Sequence, residues 1–193
     1  VDYGIGNLWS VRSALRYLGH DSVVSSTPSE VAQADALILP GVGSFRKAML
    51  ALRSSQLDEA ILEAVTGKHR KILGICLGMQ LLAMRGTEDG ETAGLGLIST
   101  DVERFDSEAM GRLKVPHIGF NQVRSEDQSV LFQGIASSAD FYFVHSYSCC
   151  PENNEYILAT TEYGGHRLVS MIGNENIFGS QFHPEKSGAL GLN

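Results

Sequence analysis

Hydrophobic and polar positions along the chain recur with two alternating periods. Leu8, Val11, Leu15 and Leu18 share one helical face behind Asn7, a capping residue, and Gly19 stands where a C-terminal glycine belongs. Val23-Val24-Ser25 is strand-like, and Thr27-Pro28-Ser29-Glu30 reads as a capping box with proline at the first helical position. Ala36 to Leu39 is a continuous apolar run closed by Pro40-Gly41-Val42-Gly43, the pattern of a strand buried on both faces. Leu57, Ile61, Leu62 and Val65 predict a helix ending at Gly67. Ile72 to Ile75 repeats the buried-strand run, and Leu77 to Met84 returns to helical spacing. Strand and helix in alternation predict an α/β fold: an open, mostly parallel central sheet flanked by helices.

Beyond Gly86 the spacing changes. Gly94 to Ile98, Lys114 to His117, Phe141 to Val144 and Tyr156 to Thr161 are strand-like, and Leu168 to Ile172 with Ile177 to Phe182 reads as a hairpin around Gly173-Asn174-Glu175-Asn176. The second half is therefore strand-rich. No repeat, low-complexity tract or charge run marks a linker, so residues 1–193 are expected to form one domain. The chain opens at Val1-Asp2-Tyr3 without a methionine, like the tail of a strand, and stops at Gly191-Leu192-Asn193 without a closing element. Both ends thus read as trimmed from a longer gene product.

Composition narrows the function classes. At 193 residues with 43% hydrophobic content, a domain buries about 70% of its unfolded surface and needs no disulfide or structural metal. Cys76, Cys149 and Cys150 form no CxxC pair and no metal-ligand spacing, which favours a reducing compartment. A net charge of −7 has the wrong sign for nucleic acid or anionic lipid. No apolar run reaches eighteen residues and no leader-like segment is present, so a cytoplasmic location is expected.

Candidate chemistry centres on Gly74-Ile75-Cys76-Leu77-Gly78, a nucleophile-elbow pattern between a buried strand and a helix. Glycines flank the cysteine because the sharp turn leaves no room beside it. The helix starting after Cys76 aims its positive end at the sulfur, and the Leu77 N–H is placed to serve an oxyanion. Alone, the pattern equally fits a small buried cysteine. A base is available at His183, in Phe182-His183-Pro184-Glu185. Pro184 keeps His183 extended, and residues two apart in an extended chain point the same way, so Glu185 can orient the imidazole toward Cys76. Taken alone, this segment also fits a surface turn. Among the other histidines, His20, His69 and His166 read as solvated, and His117 and His145 as satisfied core groups. The glycines of Pro40-Gly41-Val42-Gly43 free backbone N–H groups for an oxyanion at the carboxyl end of a strand, where ligands of α/β sheets collect.

Leu73-Gly74-Ile75-Cys76-Leu77-Gly78-Met79-Gln80, Pro40-Gly41-Val42-Gly43 and Phe182-His183-Pro184-Glu185 together resemble the class I (triad) glutamine amidotransferases. More narrowly, Val1 to Leu8, Pro116-His117-Ile118-Gly119-Phe120-Asn121 and Tyr142-Phe143-Val144-His145-Ser146-Tyr147 resemble the glutaminase subunits of imidazole glycerol phosphate synthases. The likeness runs along the whole chain. It implies Cys76 as nucleophile on the glutamine amide, His183 as base and then acid, and Glu185 as orienter. Gly43 and the Leu77 N–H would hold the oxyanion. Gln80 and Glu88 would bind the substrate's amino-acid end, and His145, Ser146 and Tyr147 its backbone-like groups. A (β/α)8-barrel synthase is the implied partner in a heterodimer, consuming the ammonia for imidazole glycerol phosphate and AICAR in histidine biosynthesis. Phe120, Asn121 and Lys186 match the docking and ammonia-passage face. The resemblance implies neither metal nor cofactor.

Phe120 departs from the family, which usually carries tryptophan there; an aromatic anchor stays, but the indole N–H is lost. Similar glutaminase and barrel pairs supply ammonia for acetamidino sugars of surface polysaccharides, and this departure leaves that acceptor as the alternative. A stand-alone cysteine hydrolase and a non-catalytic docking module are further alternatives. Intact Cys76, His183 and Glu185 count against the docking module.

Overall fold

The computed structural model describes residues 1–106, 113–125, 130–135 and 138–192. Asn193, the last residue of the C-terminal expectation, lies outside them. The first helix, α1 (Leu8–Tyr17), starts where the Asn7 side chain accepts the Ser10 N–H, and Gly19 follows it with φ +81°. α2 (Pro28–Gln33) departs from the capping box: Thr27 makes no side-chain cap. Glu30 instead accepts the Ser25 hydroxyl, whose oxygen takes the Thr27 N–H. Val23 to Ser25 does not join a ladder. The N–H of Asp2 donates to the Ser25 carbonyl and the Val1 amino group to the Ile38 carbonyl, so residues 1–2 lie between that segment and the sheet.

Strands β1 (Ala36–Gly41) and β2 (Lys71–Cys76) run parallel, with Gly41 beside Cys76. Between them lies α3 (Phe45–Ser54), a helix beyond those expected, capped by the Ser44 side chain. Phe45, Ala48, Met49 and Leu52 form its buried face. α4 (Leu57–Leu62) continues into a π turn over Glu63–Gly67, as expected from Leu57 to Gly67. α5 (Leu77–Leu81) is shorter than its periodicity suggests. Backbone N–H groups of Gly94 to Ile98 bind the carbonyls of Leu81 to Met84, the groups that a longer helix would use internally. For the same reason Gly94 to Ile98 forms no strand.

Short strands β3 (Arg85–Gly86), β4 (Thr92–Ala93) and β5 (Thr100–Arg104) join a later strand, β8 (Tyr147–Pro151), in a small side sheet. The main sheet adds β6 (His117–Ser125), β7 (Ser138–His145), β9 (Ile157–Tyr163), β10 (His166–Asn174) and β11 (Ile177–Ser180). Its order is β1-β2-β11-β10-β9-β6-β7. β1, β2 and β11 are parallel, and the strand-rich second half adds antiparallel neighbours beyond β11. A 3-10 turn (Pro184–Lys186) and α6 (Gly188–Gly191) close the described chain.

Two apolar clusters hold the layers together. Leu39, Phe45, Met49, Leu52, Leu57, Ile61, Ile72 and Met79 bury α3 and α4 against β1 and β2. Phe141, Phe143, Phe182, Val123 and Met171 form a second core over the antiparallel half. Each such side chain contributes roughly 1.5–3 kcal/mol on burial. Because β1, β2 and β11 are parallel neighbours, the loops leaving Gly41, Cys76 and Ser180 all emerge at one sheet edge. No helix among the described residues is long and apolar enough to cross a membrane.

Candidate active site

Cys76 ends β2 in a backbone conformation that non-glycine residues avoid, φ +56° and ψ −112°. The turn is held by contact on both sides. A Cβ on Gly78 would run into the Leu39 carbonyl of β1, and one on Gly74 into the Gly78 carbonyl. Cys76 is 7% exposed. Its thiol donates toward the Val144 carbonyl at 3.9 Å, and the Gln181 side-chain N–H donates to its sulfur at 3.7 Å.

His183 leaves β11 with φ −99° and ψ 96°, the extended conformation that Pro184 imposes. Glu185 then reaches back through the 3-10 turn. His183 Nδ1 donates to Glu185 Oε1 at 2.8 Å, with both side chains almost wholly buried. That bond keeps Nδ1 as the donor and leaves Nε2 as the nitrogen open to proton exchange, buried and without a hydrogen-bond partner among the described residues. Burial alone lowers the His183 pKa, but the Cys76 sulfur and the Glu185 carboxylate beside it prevail and raise it to about 9. β7 anchors the turn: the His183 N–H donates to the Tyr142 carbonyl, the Ser187 hydroxyl to the His183 carbonyl at 2.6 Å, and the Tyr142 N–H to the Ser187 oxygen at 3.0 Å.

A cavity of about 340 Å³ opens in front of the sulfur, bordered by Val42, Gly43, Leu77, Gln80, Glu88, Val144, His145, Ser146, Tyr147 and His183. Gly43 adopts φ +90°, which glycine alone takes without strain. Gln80 is buried, and its amide nitrogen donates to the Tyr147 carbonyl at 3.1 Å and to Gln181 Oε1 at 2.9 Å. Glu88 accepts the Phe45 N–H at the start of α3, and partial burial raises its pKa. His145 donates from Nδ1 to the Tyr147 carbonyl and accepts at Nε2 from His117 Nδ1 at 3.0 Å. Burial lowers His145 to about 3 and His117 to about 4, so this pair stays neutral. A larger cavity, about 780 Å³, lies between α1, α2 and β1 and is lined by neither Cys76 nor His183.

Thus Cys76, His183, Glu185, Gly43, Leu77, Gln80, Glu88, His145, Ser146 and Tyr147 gather at one sheet edge. Phe120 and Lys186 also share a surface: Phe120, 63% exposed, meets Tyr142 edge-on, and Lys186 Nζ lies 5.8 Å from the Tyr142 ring. Asn121 points to the other face of β6, where its amide nitrogen meets His117 Nε2 and the Glu162 carbonyl. The motif reading omitted Gln181 and Val144, both in contact with the sulfur. Gln181 carries a readable signal, a long amide side chain between Ser180 and Phe182 at the end of the Ile177 to Phe182 run.

The family model described as glutamine amidotransferase class-I matches residues 1–191. The chain is 47% identical over its whole length to the "Imidazole glycerol phosphate synthase subunit HisH" of Moorella thermoacetica, covering 89% of that protein. It is 46% identical to the protein of the same name from Chlorobaculum tepidum, covering 94% of it and all of this chain. Among solved structures, a glutamine amidotransferase superposes with a TM-score of 0.75 at 20% identity, over 97% of this chain and 90% of that one. The glutaminase domain of Trypanosoma brucei CTPS gives 0.62 at 17% identity, over 95% and 84% of the two chains. At such identities the superpositions speak to the fold. With the elbow, the imidazole and the glycine loop at one edge of an α/β sheet, and with relatives matched along its full length, this chain belongs to the class-I glutamine amidotransferase family and, within it, to the HisH subunits of imidazole glycerol phosphate synthase.

Proposed function

We propose that residues 1–193 form one glutaminase domain that hydrolyses L-glutamine and hands the ammonia to a (β/α)8-barrel synthase subunit, its partner in a heterodimer of histidine biosynthesis. The observation that carries the chemistry is the buried alignment of Glu185 and His183, whose Nε2 is not taken up by another described residue, beside a cysteine on an elbow. In this reading His183 Nε2 takes the Cys76 proton, and the sulfur attacks the side-chain amide carbon of glutamine. Leu77 and Gly43 N–H groups hold the oxygen of the tetrahedral intermediate. His183 returns its proton to the leaving nitrogen, ammonia departs, and a glutamyl thioester remains on Cys76. Water activated by His183 hydrolyses the thioester to glutamate. Gln80 and Glu88, which line the cavity, are assigned the amino-acid end of the substrate, and His145, Ser146 and Tyr147 the facing segment.

The exposed Phe120, Tyr142 and Lys186 surface is the proposed docking face, because it flanks the turn that holds His183. Asn121, whose side chain turns to the opposite face of β6, is left out of that docking face. The acetamidino-sugar alternative is not favoured, since full-length relatives carry the imidazole glycerol phosphate synthase name. The test is a reconstituted pair. Cys76→Ala should abolish glutamine turnover while leaving synthesis from added ammonia intact. Residual glutamine turnover in that variant would remove Cys76 from the reaction.

A further inference from the structure

The triad leaves one buried polar side chain at the nucleophile without a role. Gln181 is wholly buried, and β11, pairing Ser180 with Ile75, sets it next to Cys76. Its Nε2 donates to the Cys76 sulfur at 3.7 Å while its Oε1 accepts from Gln80 Nε2 at 2.9 Å. The second bond fixes the orientation of the amide: with Oε1 engaged by a donor, Nε2 is the atom presented to the sulfur. Gln80 is itself held by the Tyr147 carbonyl, so the donor sits at the end of a chain running from the cavity wall to the nucleophile.

From this geometry we propose that Gln181 is a further catalytic residue: its side-chain N–H holds the Cys76 sulfur in place and stabilises the negative charge that forms when the thiol is deprotonated. The inference rests on the glutaminase reading. In the resting thiol the S–H donates toward the Val144 carbonyl. When that proton passes to His183 Nε2, the electron pair stays on the sulfur and the Val144 bond is lost. The Gln181 N–H remains as a donor to the anion, and Gln181 neither gains nor loses a proton. A hydrogen bond to an ionised acceptor in a buried site is about twice as strong as one to a neutral acceptor, so its effect grows along the reaction. Other titratable groups facing the sulfur are Tyr3 from the N-terminal segment and His183 with Glu185 from the turn after β11; His145 of β7 acts on His183.

The test measures alkylation of Cys76 by iodoacetamide against pH, read by the mass of its own peptide to separate it from Cys149 and Cys150. It is paired with glutamine turnover by the complex with the synthase subunit. Gln181→Met removes the donor at similar volume. Its alkylation midpoint should rise by about one pH unit and kcat fall about tenfold, as expected for one lost bond to a charged group. A purely structural role predicts no shift, because looser packing around a sulfur that is 7% exposed would speed alkylation without moving the midpoint. An unchanged midpoint in Gln181→Met overturns the proposal. If that variant does not fold, Gln181→Leu decides on the same criterion, since it also removes the donor and adds no charge beside the sulfur. If wild-type complex fails to consume glutamine, the glutaminase reading fails instead, while the alkylation midpoint still decides the role of Gln181.

Discussion

Glu185→Gln isolates what the carboxylate does for His183. The amide keeps an oxygen 2.8 Å from Nδ1 and nearly the same volume, so the imidazole retains its tautomer and place. Only the charge is removed. His183 becomes an imidazolium twice in the proposed cycle, each time with its Nδ1–H against that oxygen. Both side chains are buried, at 2% and 3% exposure, so water does not replace the lost charge. A bond to a charged group is worth about 1.5–3 kcal/mol against about 1 for a neutral pair. The difference, roughly 0.5–2 kcal/mol, corresponds to a fall of about two- to thirtyfold in kcat. The assay is glutamate release by the complex at saturating glutamine, with synthesis from added ammonia as the measure of an intact complex. Wild-type kcat in Glu185→Gln would refute the reasoning. The variant also changes stability against pH. Because folding raises the His183 pKa from 6.5 to about 9, its contribution is complete below pH 6.5 and is lost as pH rises through about 9. Removing the carboxylate should flatten that decline, which denaturant midpoints across this window would record.

Three further outcomes are expected. Gly78→Ala should destabilise the fold by several kcal/mol, since its Cβ meets the Leu39 carbonyl and β1 must shift; a melting temperature within a few degrees of wild type would contradict this. Ser187→Ala should cost about 1 kcal/mol by leaving the partly buried Tyr142 N–H without its acceptor, and should lower kcat through the displaced His183 backbone; denaturant titration with kinetics checks both. Phe120→Ala should weaken binding of the synthase subunit by more than about 1 kcal/mol, and an unchanged Kd would remove Phe120 from the interface.

What the sequence revealed of this site depended on how local each feature is. The elbow was legible because Gly74, Cys76 and Gly78 answer to one turn and the apolar run before them to one buried strand. The link from His183 to Glu185 was legible for a similar reason, although its geometry is a 3-10 turn rather than a continuing strand. Features made by distant pairing were not. β11 enters between β2 and β10, and only that order places Gln181 against Cys76, 105 positions away. Gly94 to Ile98 looks like a strand, yet its N–H groups are consumed by the end of α5. Val23 to Ser25 has suitable residues, yet among the described residues its backbone is tied by the Asp2 N–H to the Ser25 carbonyl and not by a ladder. α3 carried a helical repeat at Phe45, Ala48, Met49 and Leu52 that the pattern reading passed over beside the glycine loop. On β6, adjacency in sequence suggested a common role for Phe120 and Asn121, whereas the pleat sends them to opposite faces.

The central claim is that Cys76 carries the glutamyl group. Acid quenching of the complex during glutamine turnover, followed by mass analysis of the Cys76 peptide, tests it directly. A glutamyl adduct on that peptide that hydroxylamine removes, absent from Cys76→Ser, is the predicted result. Steady glutamate release with an unmodified Cys76 peptide, and the same release from Cys76→Ser, would contradict it.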